Sequence, residues 1–107
     1  MINRYMRLLL FFDLPMVSDN EKKQYNKFRN FLLDDGFIMI QYSVYVRICR
    51  NQDDLNKHIN RAKNNLPPKG NVRILHVTDS QYQKMQLLRG KKVNEEHIST
   101  TSLIIFE

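Results

Sequence analysis

The stretch Tyr5-Met-Arg-Leu-Leu-Leu-Phe-Phe-Asp13 constrains the fold more than any other part of this chain. It is almost continuously apolar, and Pro15 closes it. A strand of that kind is covered on both faces, so it belongs inside a sheet rather than at its edge. It needs strand neighbours on each side and a layer of helix, and the remaining sequence must supply them.

Ser18-Asp-Asn-Glu21 has the form of a capping box, with Ser18 at the N-cap and Glu21 reaching back. The helix it opens places Tyr25, Phe28 and Leu32 on one stripe and turns Lys22, Lys23, Asn26 and Asn30 away. Gly36 is positioned to end it. From Phe37 to Cys49 the period becomes two: Phe37–Ile40 is one extended piece, and in the next Val44, Val46 and Ile48 alternate with Tyr45, Arg47 and Cys49. Gln41-Tyr42-Ser43 joins them as a tight connection or a bulge. Asn51-Gln-Asp-Asp54 starts a second helix, with Leu55, Ile59, Ala62 and Leu66 as its apolar stripe and Pro67-Pro68 as its stop.

Val72–Thr78 is a further strand, and Asp79-Ser-Gln-Tyr82 begins a short helical turn leading to Met85–Leu88. Residues 89–101 read as a mobile loop, and Leu103, Ile104, Ile105 and Phe106 form a terminal strand with no hairpin partner of their own. A second copy of the chain can offer that strand an edge. The order strand, helix, strand pair, helix, strand is the α+β, ferredoxin-like βαββαβ sandwich, with two helices on one face of a four-stranded sheet. At 107 residues the chain has room for a single domain, a core at about 1–85 followed by a loop and exchanged strand at about 86–107.

Charge gives the first indication of a partner. Seventeen Lys and Arg against eleven Asp and Glu leave a net +6. The excess is concentrated in residues 57–92, where nine basic side chains face Asp79 alone. Such a surface favours polyanions, because each phosphate contact releases condensed counterions. Arg61, Lys63 and Lys69 form one basic group and Arg89, Lys91 and Lys92 another, both candidates for backbone phosphate contacts. The single cysteine, Cys49, excludes an intrachain disulfide and favours a reducing cytoplasm. The apolar run Leu8–Phe12 is too short for a signal peptide core or a membrane span, so secreted and membrane classes are set aside.

Few residues offer chemistry. His58, His76 and His97 fall on a helix, a strand and a loop without ligand spacing, and three glycines make no phosphate-cradling loop. His76 reads as a sheet-surface residue and Cys49 as core. Asp13 stands out, at the carboxyl end of the first strand after five apolar residues. Either it caps the following loop through backbone N–H groups, or it ligates Mg²⁺ in a site that a second Asp13 completes across a two-fold axis.

Three runs occur in order along nearly the whole chain: Arg7-Leu-Leu-Leu-Phe-Phe-Asp-Leu-Pro15, Gly36-Phe-Ile-Met-Ile-Gln-Tyr-Ser-Val-Tyr45, and Gly70-Asn-Val-Arg-Ile-Leu-His-Val-Thr78 with Gln81-Tyr82. Together they resemble the second CRISPR-associated protein family, the small dimeric partner of the CRISPR integrase, with the flavour of type II systems. The resemblance implies a homodimer whose C-terminal strands extend the partner's sheet. It implies a scaffold that bridges two integrase dimers and lies under prespacer duplex DNA during spacer acquisition at the repeat. It also implies a Mg²⁺-dependent endonuclease on single-stranded RNA or double-stranded DNA, with Asp13 in the place of the family's proposed metal ligand and catalytic acid. A ribonuclease toxin of the VapD type and a generic ferredoxin-like RNA-binding module are the alternatives.

Overall fold

The computed structural model describes residues 5–93, so the strand expected at Leu103–Phe106 and the loop from residue 94 onward lie outside the described residues. The elements run β1 (Met6–Asp13), α1 (Asp19–Asp34), β2 (Ile38–Gln41), β3 (Val44–Cys49), α2 (Gln52–Lys63), β4 (Asn71–Thr78) and α3 (Asp79–Gln83). The four strands form one antiparallel sheet in the order β2-β3-β1-β4. This is the ferredoxin-like arrangement, and β1 lies inside the sheet as its unbroken apolar run requires.

β1 has two apolar faces, and they meet different layers. Leu8, Leu10 and Phe12 point toward α1 and α2 and pack with Tyr25, Phe28, Leu32, Tyr45, Leu55 and Ala62. Burying side chains of this size stabilises by about 1.5–3 kcal/mol each. Leu9 points the other way, where Val46 and Tyr82 of α3 bury it and Phe11, Ile38, Ile40 and Val77 are only half-covered. Leu75, paired with Leu9 in the register, is 55% exposed. The second face is therefore apolar but incompletely roofed.

Local signals account for most boundaries. Ser18 and Glu21 form the reciprocal capping box at the start of α1, and Gly36 follows its end with φ +92°. Asn51 caps α2 by accepting from the Asp54 N–H at 2.8 Å. α2 stops at Lys63 rather than reaching Leu66, which is 51% exposed instead of completing the stripe. The residue before a proline is pushed out of the helical region, so Pro67 excludes Leu66 from the last turn.

The β2–β3 connection is the tight one, and the irregularity in pairing lies just before it, around Ile40. Gln41 pairs with Val44 across a tight turn of Tyr42 and Ser43, and the register shifts between Met39 and Gln41. Ser43 takes φ +64°, a left-handed conformation that costs a non-glycine residue about 1–2 kcal/mol.

Candidate functional site

Asp13 ends β1 on an exposed position, and its carboxylate has no hydrogen-bond or ion-pair partner among the described residues. Strand alternation puts it on the face of Leu9 and Phe11, the incompletely covered one. The loop that follows is capped by a different acid: Glu21 accepts the N–H groups of Val17 at 3.1 Å and Ser18 at 3.0 Å. Those contacts, the Ser18 N–H first, with Lys69 nearby, hold the Glu21 carboxyl below its ordinary range.

The backbone at Asp13 is fixed from three directions. Phe12 is edge-on to Tyr25 and Phe28, with centroids at 5.8 and 5.5 Å, and stacked on Tyr45 at 5.6 Å. The Phe12 N–H donates to the Ser43 carbonyl at 3.1 Å, tying the strand end to the β2–β3 turn. On the other side Gly70, with φ +97°, lies so close that a Cβ there would be 2.6 Å from the Asp13 carbonyl oxygen and 2.6 Å from a Leu14 methyl. Among the described residues the acid is thus an unpaired carboxylate at a closely packed strand end.

A lone carboxylate is not a metal site. Among the described residues no group of three or more His, Cys, Asp or Glu side chains is placed to hold an ion. Asp13 therefore supplies a single carboxylate, at the end of an apolar and half-covered sheet face.

The basic candidates do not converge. Arg61 is half-exposed at the end of α2, but its Nη1 binds Asp35 Oδ1 at 2.9 Å beside the C-terminus of α1. Lys69 is exposed near Glu21 at the opposite end of that helix, roughly 20 Å away for its length. Lys63 is exposed on the last turn of α2, while Arg89, Lys91 and Lys92 are exposed on the segment after α3.

Sequence reasoning missed two buried charge clusters. His58 is 1% exposed, with Nδ1 at 2.7 Å from Asp35 Oδ2 and Nε2 at 3.3 Å from Asp54 Oδ1. Arg47 donates from Nε to the Asp35 carbonyl at 2.7 Å, so α1, α2 and β3 meet in this network. Burial pushes the Asp54 carboxyl up, but the Arg50 N–H, Lys57, Arg47 and His58 outweigh it and leave its pKa below the ordinary value. The available signal was the Asp54–His58 spacing of four on the inner side of α2. The second cluster is Arg7, 1% exposed, whose Nε donates to Asp79 Oδ1 at 2.8 Å while its guanidinium lies 4.5 Å over the Tyr82 ring. It clips α3 onto the second face of the sheet.

Tyr42 is 69% exposed on the turn, its ring stacked on Tyr25 at 6.4 Å and 21° and its hydroxyl directed at Met16 Sδ at 3.4 Å. Burial and the hydrogen-bonded Tyr42 push the Tyr25 hydroxyl up to about 12. His76 is exposed on β4, as expected of a sheet-surface residue, and Cys49 is buried.

The fold, the exposed acid at the end of its interior strand and the basic composition together describe a small ferredoxin-like α+β protein. Comparison with known proteins narrows this. Residues 6–85 match the family model described as "CRISPR associated protein Cas2", and the chain belongs to that family. It is 49% identical over 100 residues to the "CRISPR-associated endoribonuclease Cas2" of Acidovorax ebreus (strain TPSY), covering 88% of this chain and 98% of the relative. It is 47% identical over 100 residues to the protein of the same name from Ligilactobacillus salivarius (strain UCC118), covering 94% and 99%. A solved structure titled "Crystal structure of cas2" aligns with TM-score 0.58 at 15% identity, over 84% of this chain and 92% of that one, and supports the fold.

Proposed function

We propose that this chain is an endoribonuclease-type Cas2 protein that works as a homodimer, placing two Asp13 carboxylates at one shared Mg²⁺ site. The observation that carries this is the position of Asp13: exposed and unpartnered among the described residues, on a face whose apolar residues a second copy would cover. When bound, the divalent cation polarises a phosphodiester oxygen and lowers the pKa of a water, which is the chemistry hydrolysis needs. Within the chain, Gly70, Ser43 and the aromatic cluster on Phe12 keep the Asp13 backbone in place. β4 has β1 as its strand neighbour in the described sheet, and its other edge suits pairing with a strand of the partner chain.

In the cell the same dimer serves as a scaffold, holding prespacer duplex DNA with the CRISPR integrase during spacer acquisition. Strand transfer belongs to the integrase, and this protein supplies a rigid spacer with a basic exterior. The net +6 and the exposed Lys63, Lys69, Lys91 and Lys92 support backbone contact. The scaffold is the principal role and nuclease action the secondary one.

The test combines size exclusion and gel shift of the protein with its neighbouring integrase and a short prespacer duplex, run beside cleavage of single-stranded RNA. Wild type and Asp13→Ala are compared with Mg²⁺ and with EDTA. Complex formation by both variants, with cleavage by wild type in Mg²⁺ alone, is the expected result. No complex with the integrase overturns the scaffold role, and EDTA-resistant or Asp13-independent cleavage overturns the metal site.

A further inference from the structure

We propose that Tyr42 is a stacking platform for an unpaired RNA base beside the Asp13 site, an inference that rests on the endoribonuclease reading above. Tyr42 is a large aromatic held out at the surface, 69% exposed, on a turn with one left-handed residue. An exposed tyrosine ordinarily rotates freely, but this one is held by one ring face and by its hydroxyl. Tyr25 backs one face at 6.4 Å and a near-parallel 21°, and the hydroxyl is anchored to Met16 Sδ at 3.4 Å. The second face is left to solvent. A ring presented in this way binds a base without losing rotamer freedom, which is the cost that weakens most surface contacts.

Its place in the fold connects it to the reactive acid. The turn bearing Tyr42 accepts the Phe12 N–H through Ser43, one residue before Asp13. Tyr42 stands on the α1 side of the sheet end and Asp13 on the other, so a strand engaging both wraps the end of β1. Behind the platform, Tyr25 also lines a depression with Leu14, Pro15, Glu21 and Lys69, in which one cationic side chain faces one carboxylate. Stacking is tolerant of sequence because every base has a π-face, and it demands a base that is not already paired. The platform therefore selects single strands over duplexes and does not read sequence.

The test measures binding of a fluorescein-labelled 12-nucleotide single-stranded RNA by anisotropy, in EDTA so that no strand is cut. The competitors are the same backbone made abasic and a blunt DNA duplex. Tyr42→Ala is expected to weaken RNA binding by about 5- to 150-fold, the range seen when a stacking aromatic is truncated. Tyr42→Phe keeps the ring and its backing on Tyr25 but loses the Met16 anchor, so it is expected to weaken RNA binding less than Tyr42→Ala, and abasic and duplex binding are unchanged in both variants. Tyr42→Trp, the sole tryptophan in a chain that has none, is quenched by RNA and not by the abasic strand. Unchanged RNA binding by Tyr42→Ala, or an equal loss on the abasic strand, overturns the platform and leaves the nuclease reading standing. A loss of integrase binding with RNA affinity intact identifies the patch as a protein contact and also overturns it. Wild type that binds no single-stranded RNA overturns both readings together.

Discussion

Gly70 and the Asp13 carbonyl oxygen approach so closely that no side chain fits between them: a Cβ on Gly70 would lie 2.6 Å from that oxygen. With φ +97° at Gly70, the backbone is also in a region that L side chains rarely adopt. Gly70→Ala is therefore expected to destabilise the fold by more than about 1 kcal/mol and to displace the end of β1. Chemical denaturation measures the first effect, and a loss of Mg²⁺-dependent cleavage beyond the loss of folded protein measures the second.

Asp13 itself behaves in the opposite way. It is exposed and carries no partner among the described residues, so Asp13→Asn is expected to leave stability within about 0.5 kcal/mol of wild type. Metal-dependent cleavage is lost in the same variant. Thermal melts and a cleavage assay on one preparation separate the two effects.

The buried network around His58 ties α1 to α2. Asp35 binds both His58 at 2.7 Å and Arg61 at 2.9 Å, and its own side chain is 6% exposed. Asp35→Ala leaves a buried imidazole without its closest acceptor and is expected to cost about 1–3 kcal/mol. Asp35→Asn, which retains one acceptor, costs less. Urea denaturation of the two variants orders them.

Asp54 makes part of the stability depend on acid pH. Its folded pKa is below the ordinary value, so its contribution is fully present above the unfolded pKa of about 3.9. That contribution is lost as pH falls through the lower folded value. Wild type is expected to lose stability below about pH 4 more steeply than Asp54→Asn, as followed by denaturation from pH 2.5 to 7.

Burial, opposed in part by Arg47, pushes the Cys49 thiol up to about 11 from 9.0. The thiolate is the reactive form, so the folded protein is expected to react with a disulfide reagent at pH 8 at least about a hundredfold more slowly than the unfolded chain. Fast labelling in native buffer contradicts the buried position of this residue.

The order of elements was legible because each strong local signal had a single physical solution. The uninterrupted run at Leu8–Phe12 required an interior strand, Ser18 and Glu21 set the start of α1, and Pro67-Pro68 set the end of α2 to within a turn. Asp13 was legible for the same reason, as a charge at the edge of an apolar run. What stayed hidden is tertiary. Arg7 reads as an interruption of β1 until Asp79, seventy-two residues away, is brought beside it by the pairing of β1 with β4. Arg61 and Lys69 look like neighbours along the chain, yet the link between α2 and β4 carries them to opposite ends of α1. Tyr42 looked like part of a turn, and only the stack on Tyr25 shows that its ring is held in place.

The shared Asp13 site is tested most directly by Mn²⁺ binding, counted by electron paramagnetic resonance on dimer isolated by size exclusion. One tightly bound ion per two chains, absent in Asp13→Ala while the dimer persists, is the predicted result. An ion per chain that survives Asp13→Ala, or a monomer that binds none, contradicts it.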